Sequence, residues 1–236
     1  TSTVVGVISK PLTYWASGLA CEKFGWTNPK GKSKEERLCI SALTRLEISL
    51  LNDDDYLKLL DDAYKAHATK LKDSAGKGTD MHAVLEQYVI DCMKAGHIFI
   101  VENGEKYLIE FSKWAHEYVA EFLHHEVNVY SRVLWTGGIT DVVMKMKTGS
   151  YMIGDFKSSK EAYDSQFIQV AGYDIQQREN GFLTPDGEKI GESVDVSGYF
   201  IFPFGQEVFT PWARYNVKEL RDAFKACVTL YTTINK

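Results

Sequence analysis

Apolar residues recur at helical spacing through the first half of the chain and at strand spacing through much of the second. Thr3 to Ile8 is apolar and β-branched, which predicts an extended arm. Ser9 and Pro11 then suit a helix start, and Leu12, Trp15, Ala16 and Leu19 predict an amphipathic helix ending near Gly25. A polar, basic loop from Asn28 to Lys34 follows. Leu38, Ala42, Leu46 and Ile48 mark a helix over Glu35–Leu51, and Tyr56, Leu59, Leu60, Ala63 and His67 mark another over Asp53–Lys72. Three aspartates, Asp53 to Asp55, complement the dipole at the start of the second. Ser74 to Gly78 reads as a linker, after which Thr79 or Asp80 caps a helix running to about Lys94. On that helix Val84, Leu85, Tyr88 and Val89 cover the packing side, while His82 and Glu86, four apart, share a face. Beyond a turn at Asn103-Gly104, Phe111, Trp114, Tyr118 and Phe122 predict a helix over Tyr107–Leu123.

From Glu126 the period changes to alternation, and a first strand runs to about Leu134. Gly137 to Lys160 reads as a hairpin: Val142, Met144 and Met146 alternate with Val143, Lys145 and Lys147, Thr148-Gly149-Ser150 turns, and a second strand reaches Asp155-Phe156-Lys157. A helix over Tyr163–Asn180 stops at Gly181, a turn spans Gly187–Gly191, strands over Val194–Phe204 and Glu207–Tyr215 turn at Gly205, and a last helix covers Val217–Thr233. This order predicts an α+β fold, a mixed β-sheet core flanked by helices. One domain of 236 residues is expected, with a helical N-terminal region over 1–75 and the core over 76–236.

Composition narrows the function classes. The chain is 44% hydrophobic and 25% charged with a net charge of −5, which argues against a protein that coats nucleic acid non-specifically. A nucleic-acid enzyme is still allowed, because local patches and divalent cations can supply the positive field at a site. No stretch reaches the roughly 18 apolar residues of a membrane span, so no membrane partner is expected. Cys21, Cys39, Cys92 and Cys227 never form a CxxC pair, so they are expected to be buried or half-buried thiols in a reducing setting, without zinc, iron–sulfur cluster or disulfide framework.

Candidate chemistry gathers on the hairpin. Asp155 and Lys157, two apart, project to one strand face, and the turn brings Asp141 close to both. Two carboxylates and an ammonium on an apolar hairpin are costly to bury unless they pair or bind a metal. Carboxylate oxygens suit Mg²⁺ or Mn²⁺, the Phe156 carbonyl would be a natural extra ligand, and a lysine beside the ion could position a nucleophile or offset transition-state charge. With His82 before the hairpin and Gln169 and Tyr173 after it, the set suits phosphodiester hydrolysis. Taken alone, His82 reads as a structural histidine.

Gly138-Ile139-Thr140-Asp141 followed by Asp155-Phe156-Lys157 resembles the PD-(D/E)xK nuclease superfamily. The preceding helix with His82 and the following Gln169 and Tyr173 narrow the resemblance to its RecB-like, lambda-type exonuclease branch, over about Gly78 to Asn180. Thr140 stands where the superfamily name has proline. The N-terminal helices, with Lys10-Pro11-Leu12 and Tyr14-Trp15-Ala16, resemble those of small phage-type members. The CRISPR-associated relatives carry four cysteines around an iron–sulfur cluster, three of them near the C-terminus, whereas only Cys227 lies near that end here.

The resemblance implies a restriction-endonuclease-like core. It makes His82, Asp141, Asp155 and the Phe156 carbonyl ligands of one or two Mg²⁺ or Mn²⁺ ions and Lys157 the catalytic lysine. Gln169 and Tyr173 would steer the lysine or the scissile phosphate, and Ser158, Ser159, Lys160 and Gln166 would contact substrate. Glu86 and Glu126 stand behind these. The implied activity is a divalent-metal-dependent DNA exonuclease of recombination, repair or end processing, in the cytoplasm of a bacterial or phage-infected cell. Its partners would be single-stranded or duplex DNA ends, with a recombination partner protein or a homo-oligomer allowed. The alternatives are a structure-specific or restriction-like endonuclease on the same fold and a non-catalytic nuclease-fold DNA-binding subunit.

Overall fold

Seven strands form one mixed sheet: β1 (Val119–Ser131), β2 (Thr136–Met146), β3 (Tyr151–Lys157), β4 (Phe182–Leu183), β5 (Lys189–Gly191), β6 (Val196–Pro203) and β7 (Trp212–Arg214), in the order β5-β4-β1-β2-β3-β6-β7. The structure is a computed structural model that describes residues 2–8, 13–29 and 31–235, without the side chains at 13–15 and 71–80. β1, β2 and β3 are antiparallel neighbours, and β3 pairs in parallel with β6. The connection between those parallel strands runs through helix α6 (Asp164–Asn180), as parallel pairing requires a crossover.

The central strands are apolar on both faces because helices cover both. On one face Val142, Met144, Met152, Phe156 and Phe202 pack with Met81, Leu85, Tyr88, Val89 and Cys92 of α4 (Asp53–Ala95) and with Phe111 and Ala115 of α5 (Lys106–Tyr118). On the other, Val143, Ile153, Tyr199 and Ile201 meet Phe167, Val170, Ala171 and Tyr173 of α6. Each fully buried large apolar side chain here contributes about 1.5–3 kcal/mol. A smaller cluster joins Val4 and Val5 to Phe224, Cys227 and Val228 of the last helix, α7 (Val217–Ile234). The fold class is α+β, as the alternating periods predict.

Several boundaries differ from the sequence reading. Ser2–Val5 forms a short helix, α1, followed by a 3₁₀ turn at Gly6–Ile8, instead of an extended arm. Its valines are buried by one face of α7, and that tertiary burial overrides β-propensity. Residues expected to be a linker lie within α4, since Gly76 and Gly78 each weaken a helix by only about 1 kcal/mol relative to alanine. Strand β1 starts at Val119, so Phe122 belongs to the sheet, although its spacing from Phe111 and Tyr118 fits a helix equally well. The small strand β5 falls within the expected turn at Gly187–Gly191, β4 follows directly on the expected helix stop at Gly181, and β7 keeps only three residues of a longer expected strand. Cys92 and Cys227 are buried, but Cys21 and Cys39 are exposed on helices and not in a core. Ser9, Pro11 and Leu12, and the side chains of Thr79 and Asp80, lie outside the described residues.

The chain divides into two compact units. One comprises residues 10–77, with α2 (Thr13–Glu22), α3 (Lys34–Ser49) and the start of α4. Ser33 caps α3 by accepting from the Glu36 amide at 3.1 Å, while the Glu36 carboxylate accepts from the Ser33 amide at 2.7 Å. The other unit, residues 1–9 and 78–236, holds the sheet and every side chain of the site described next. Among the described residues, no helix is long and apolar enough to cross a membrane.

Candidate active site

The β2–β3 ladder ends at the pair Val142–Gly154, and Asp141 and Asp155 are the residues just beyond it. β3 continues, but it now pairs only with β6, where Asp155 stands beside Ile201 and Phe156 beside Phe202. The freed amide of Phe156 donates to Asp141 Oδ2 at 2.6 Å, so a side chain takes the place of the missing main-chain acceptor. Gly154, the last β3 residue of that ladder, is packed closely by the core. A Cβ there would lie 2.6 Å from the Phe202 ring and 2.9 Å from Val142.

The two carboxylates sit in unlike surroundings. Asp155 is 1% exposed, and its Oδ2 rests against the Lys157 ammonium, two residues on along β3. Asp141 has its carboxyl pushed well above the usual carboxylate range, first by burial and then by the charge of Asp155, with a smaller contribution from Glu126; Lys157 and the Phe156 amide only partly offset this. Burial alone would depress the Lys157 pKa, but attraction to Asp155 and Asp141 carries it above the ordinary lysine value. The lysine is therefore a fixed positive charge, one cation facing two carboxylates.

His82 reaches this cluster from α4. Its Nε2–H donates to the Phe156 carbonyl at 2.7 Å, which leaves Nδ1 facing Asp141 Oδ2 at 3.9 Å. Its ring meets that of Phe156 edge-on, with centroids 5.9 Å apart. The two peptide groups flanking one residue, Phe156, thus bind the aspartate through the N–H of one and the histidine through the C=O of the next. From α6, Gln169 Nε2 donates to the Tyr173 hydroxyl at 2.5 Å. Burial, followed by the charge of Asp155, raises the Tyr173 pKa, so the phenol keeps its proton and remains a donor beside the carboxylates.

The remaining expected residues are placed as follows. Glu86 Oε1 lies 3.3 Å from His125 Nδ1. Glu126 is exposed with a positive φ of 41°, opposite the Asp141 position between the pairs His125–Val142 and Val127–Thr140. Ser158 and Lys160 are exposed on the loop after β3, and the Ser159 hydroxyl donates to the Glu161 carbonyl at 2.7 Å. Gly205 holds this loop, its amide donating to the Ser159 carbonyl at 3.0 Å; a Cβ on it would lie 2.5 Å from the Ser158 carbonyl. The Gln166 side-chain carbonyl accepts from the Tyr163 amide at 2.8 Å and so caps α6, away from a substrate role for that oxygen. Thr140 is fully buried, and its hydroxyl has no hydrogen-bond partner among the described residues.

Sequence reasoning missed a second buried carboxylate, Asp174. It accepts from Tyr199 OH at 2.7 Å, Arg178 Nε at 3.0 Å and Gln177 Nε2 at 2.9 Å, and Arg221 Nε lies 3.6 Å away. A buried aspartate with two guanidiniums and a phenol is well compensated, and it ties α6 to β6 and α7. Its only signal in sequence is a charged residue on the packing face of an otherwise amphipathic helix.

Among the described residues, no group of three or more His, Cys, Asp or Glu side chains is gathered closely enough to hold an ion. Their donors meet protein groups: His82 the Phe156 carbonyl, Asp141 the Phe156 amide and Asp155 the Lys157 ammonium. The donor chemistry nevertheless suits a divalent cation. Two carboxylates face a single lysine, and burial first, then the charge of Asp155, disfavours the ionised Asp141 carboxylate, which a bound cation would favour. Compared with protein-family models and with curated proteins, the sequence matches none.

Proposed function

We propose that this chain is a divalent-metal-dependent DNA exonuclease of the PD-(D/E)xK, RecB-like type, acting in recombination, repair or end processing. The observation that carries this reading is the pair Asp141 and Asp155 at the point where two strands part, with Lys157 against Asp155 and the Phe156 main chain held at its amide by Asp141 and at its carbonyl by His82. Asp141, Asp155, the Phe156 carbonyl and His82 would hold Mg²⁺ or Mn²⁺, which when bound polarises a phosphoryl oxygen and lowers the pKa of water.

The protein's own residues supply the rest. The Lys157 ammonium places positive charge where a phosphoryl group gains negative charge in the transition state. The Tyr173 phenol, oriented by Gln169, offers an O–H to a phosphate oxygen. Ser158 and Lys160, on the loop fastened by Gly205, can reach flanking phosphates. Aromatic packing of Phe156 against Phe111 and Phe202 backs the strand end, and the absence of a side chain at Gly154 lets Phe202 and Val142 close in.

The test is incubation of the purified chain with end-labelled linear DNA and Mg²⁺ or Mn²⁺. Release of nucleotides from an end, stopped by EDTA and by Asp155→Ala, is the expected result. Undiminished cleavage by Asp155→Ala would overturn the site. Closed circular single-stranded DNA, which a strict exonuclease leaves intact, separates exonuclease from endonuclease.

A further inference from the structure

The β1–β2 connection carries an aromatic residue that the fold does not use. Residues 132–135 form a tight turn, in which Leu134 packs inward near α1 and α7 while Val133 is 84% and Trp135 88% exposed. Trp135 has a positive φ of 52°, a conformation unfavourable for a bulky side chain. Beside it the Arg132 guanidinium lies over the Tyr130 ring at 5.7 Å. Tyr130, Arg132 and Trp135 border a shallow cleft of about 340 Å³.

The turn is held firmly. The Arg132 amide donates to Glu179 Oε1 at 2.8 Å, and the Leu134 amide to the Ser131 hydroxyl at 2.9 Å. Asn180 Nδ2 donates to the Tyr130 carbonyl at 2.8 Å, and Gln176 Nε2 to Thr136 Oγ1 at 2.9 Å. Three of these side chains come from the end of α6, the helix that carries Gln169 and Tyr173 to the candidate site. The Glu179 carboxylate is occupied by turn amides, and Arg132 is the cation at the tip. A tryptophan that is both exposed and in an uncommon backbone conformation, on a turn pinned by side-chain hydrogen bonds, is a fixed aromatic face open to contact from outside the chain.

We propose that this hairpin tip is a nucleobase-stacking platform for single-stranded DNA, with Trp135 stacking an unpaired base and Arg132 contacting its flanking phosphate. An aromatic face beside a guanidinium matches the flat, electron-rich base and the charged backbone of a single strand, whose bases are accessible only when unpaired. The tip is too small to be the core of a protein interface, which takes about 800 Å² per partner. From Thr136 to Asp141 is five residues along β2, about 17 Å, a distance that an unpaired strand covers in a few nucleotides. The exposed positions Gly137 and Ile139 lie between the tip and Asp141. This choice of ligand rests on the nuclease reading, and the platform would hold the strand a fixed few nucleotides from the cutting point.

The test measures binding of a fluorescein-labelled oligo-dT of about 20 nucleotides in EDTA, by anisotropy. Trp135→Ala is expected to weaken binding on the order of tenfold and Trp135→Phe to retain most of it. A blunt, fully paired hairpin duplex should bind both variants as it binds the wild type. With Mn²⁺ and saturating single-stranded DNA, kcat of Trp135→Ala should be unchanged while KM rises. Because Trp135 is exposed, the thermal melt should not move, and it serves as the folding control. Wild-type affinity of Trp135→Ala for oligo-dT, an equal loss on duplex, no wild-type binding of oligo-dT, or a loss of self-association with DNA binding intact would each overturn the proposal. The two readings also fail separately. Trp135-dependent binding without DNA hydrolysis keeps the platform and removes the nuclease, and hydrolysis with Trp135-independent binding does the reverse.

Discussion

Replacing Asp141 with asparagine should stabilise the metal-free protein while removing its response to divalent cations. Asparagine preserves shape and keeps an oxygen to accept from the Phe156 amide, so the substitution removes little but charge. Side chains neighbouring across adjacent strands lie about 5 Å apart, at which two carboxylates repel by about 3 kcal/mol for an effective dielectric of about 20. Lys157 returns part of this by attraction and burial adds to it; the raised Asp141 pKa means that the unfavourable contributions win. A gain of about 1–3 kcal/mol at pH 8 is expected, or roughly 2–10 °C in Tm for a domain of this size. A carboxyl whose folded pKa lies above its unfolded value of about 3.9 binds its proton more tightly in the native state, so wild-type stability falls as pH rises from about 4 through the folded value. The advantage of asparagine should therefore be full above that folded value and fade below it. Asp155→Asn should do the opposite, lowering Tm because Lys157 loses its contact partner. Differential scanning calorimetry in EDTA, across pH and then with MnCl₂, measures all of this. If Asp141→Asn in EDTA at pH 8 melts at or below wild type, the account of the charge balance is wrong.

Three further changes probe the same framework. Lys157→Met should reduce kcat for DNA cleavage by about 10²–10⁴-fold while an Mn²⁺-induced rise in Tm survives; loss of the metal response instead would make the lysine a structural element. Gly154→Ala forces a methyl against Phe202 and Val142 and should cost about 1–3 kcal/mol in urea denaturation; an unchanged midpoint would show that the strand crossing has slack. Asp174→Ala strips a buried anion from Arg178, Arg221 and Tyr199 and should cost about 3 kcal/mol or more, whereas Asp195→Ala, at the exposed end of the same network, should change stability little.

How much could be read in advance depended on which force set each feature. Asp141 and Asp155 lie equally far from Thr148 at the turn, so hairpin register alone brings them together, and the i, i+2 rule adds Lys157. The length of α4 is concealed in the sequence because two glycines and a serine read as a linker, whereas the backbone there is helical, as it is on either side. The start of β1 was concealed because Phe111, Tyr118 and Phe122 satisfy a helical period, although the last of them packs from the sheet. Trp135 carries no distinguishing local pattern in the sequence; its exposure and positive φ distinguish it in the structure. The Asp174 network joins residues up to 47 positions apart in sequence, from Asp174 to Arg221, and local pattern cannot show such a pairing.

Residue Phe156 shows why packing and chemistry at this site cannot be separated. Its amide is fixed by Asp141, its carbonyl by His82 and its ring by Phe111 and Phe202, with centroids 5.4 and 5.7 Å away. The ring lies on the sheet face covered by α4 and α5, and Tyr173 approaches from the face covered by α6. A carbonyl so held cannot rotate toward a ligand without moving an aromatic core, so its direction is set by side chains that never touch substrate. Such a core restrains the two carboxylates as well, because Asp141 binds the amide and Asp155 precedes it in the chain. Their mutual repulsion is therefore stored and not relieved by drift, and that is the condition under which a cation entering between them would gain most from neutralising it.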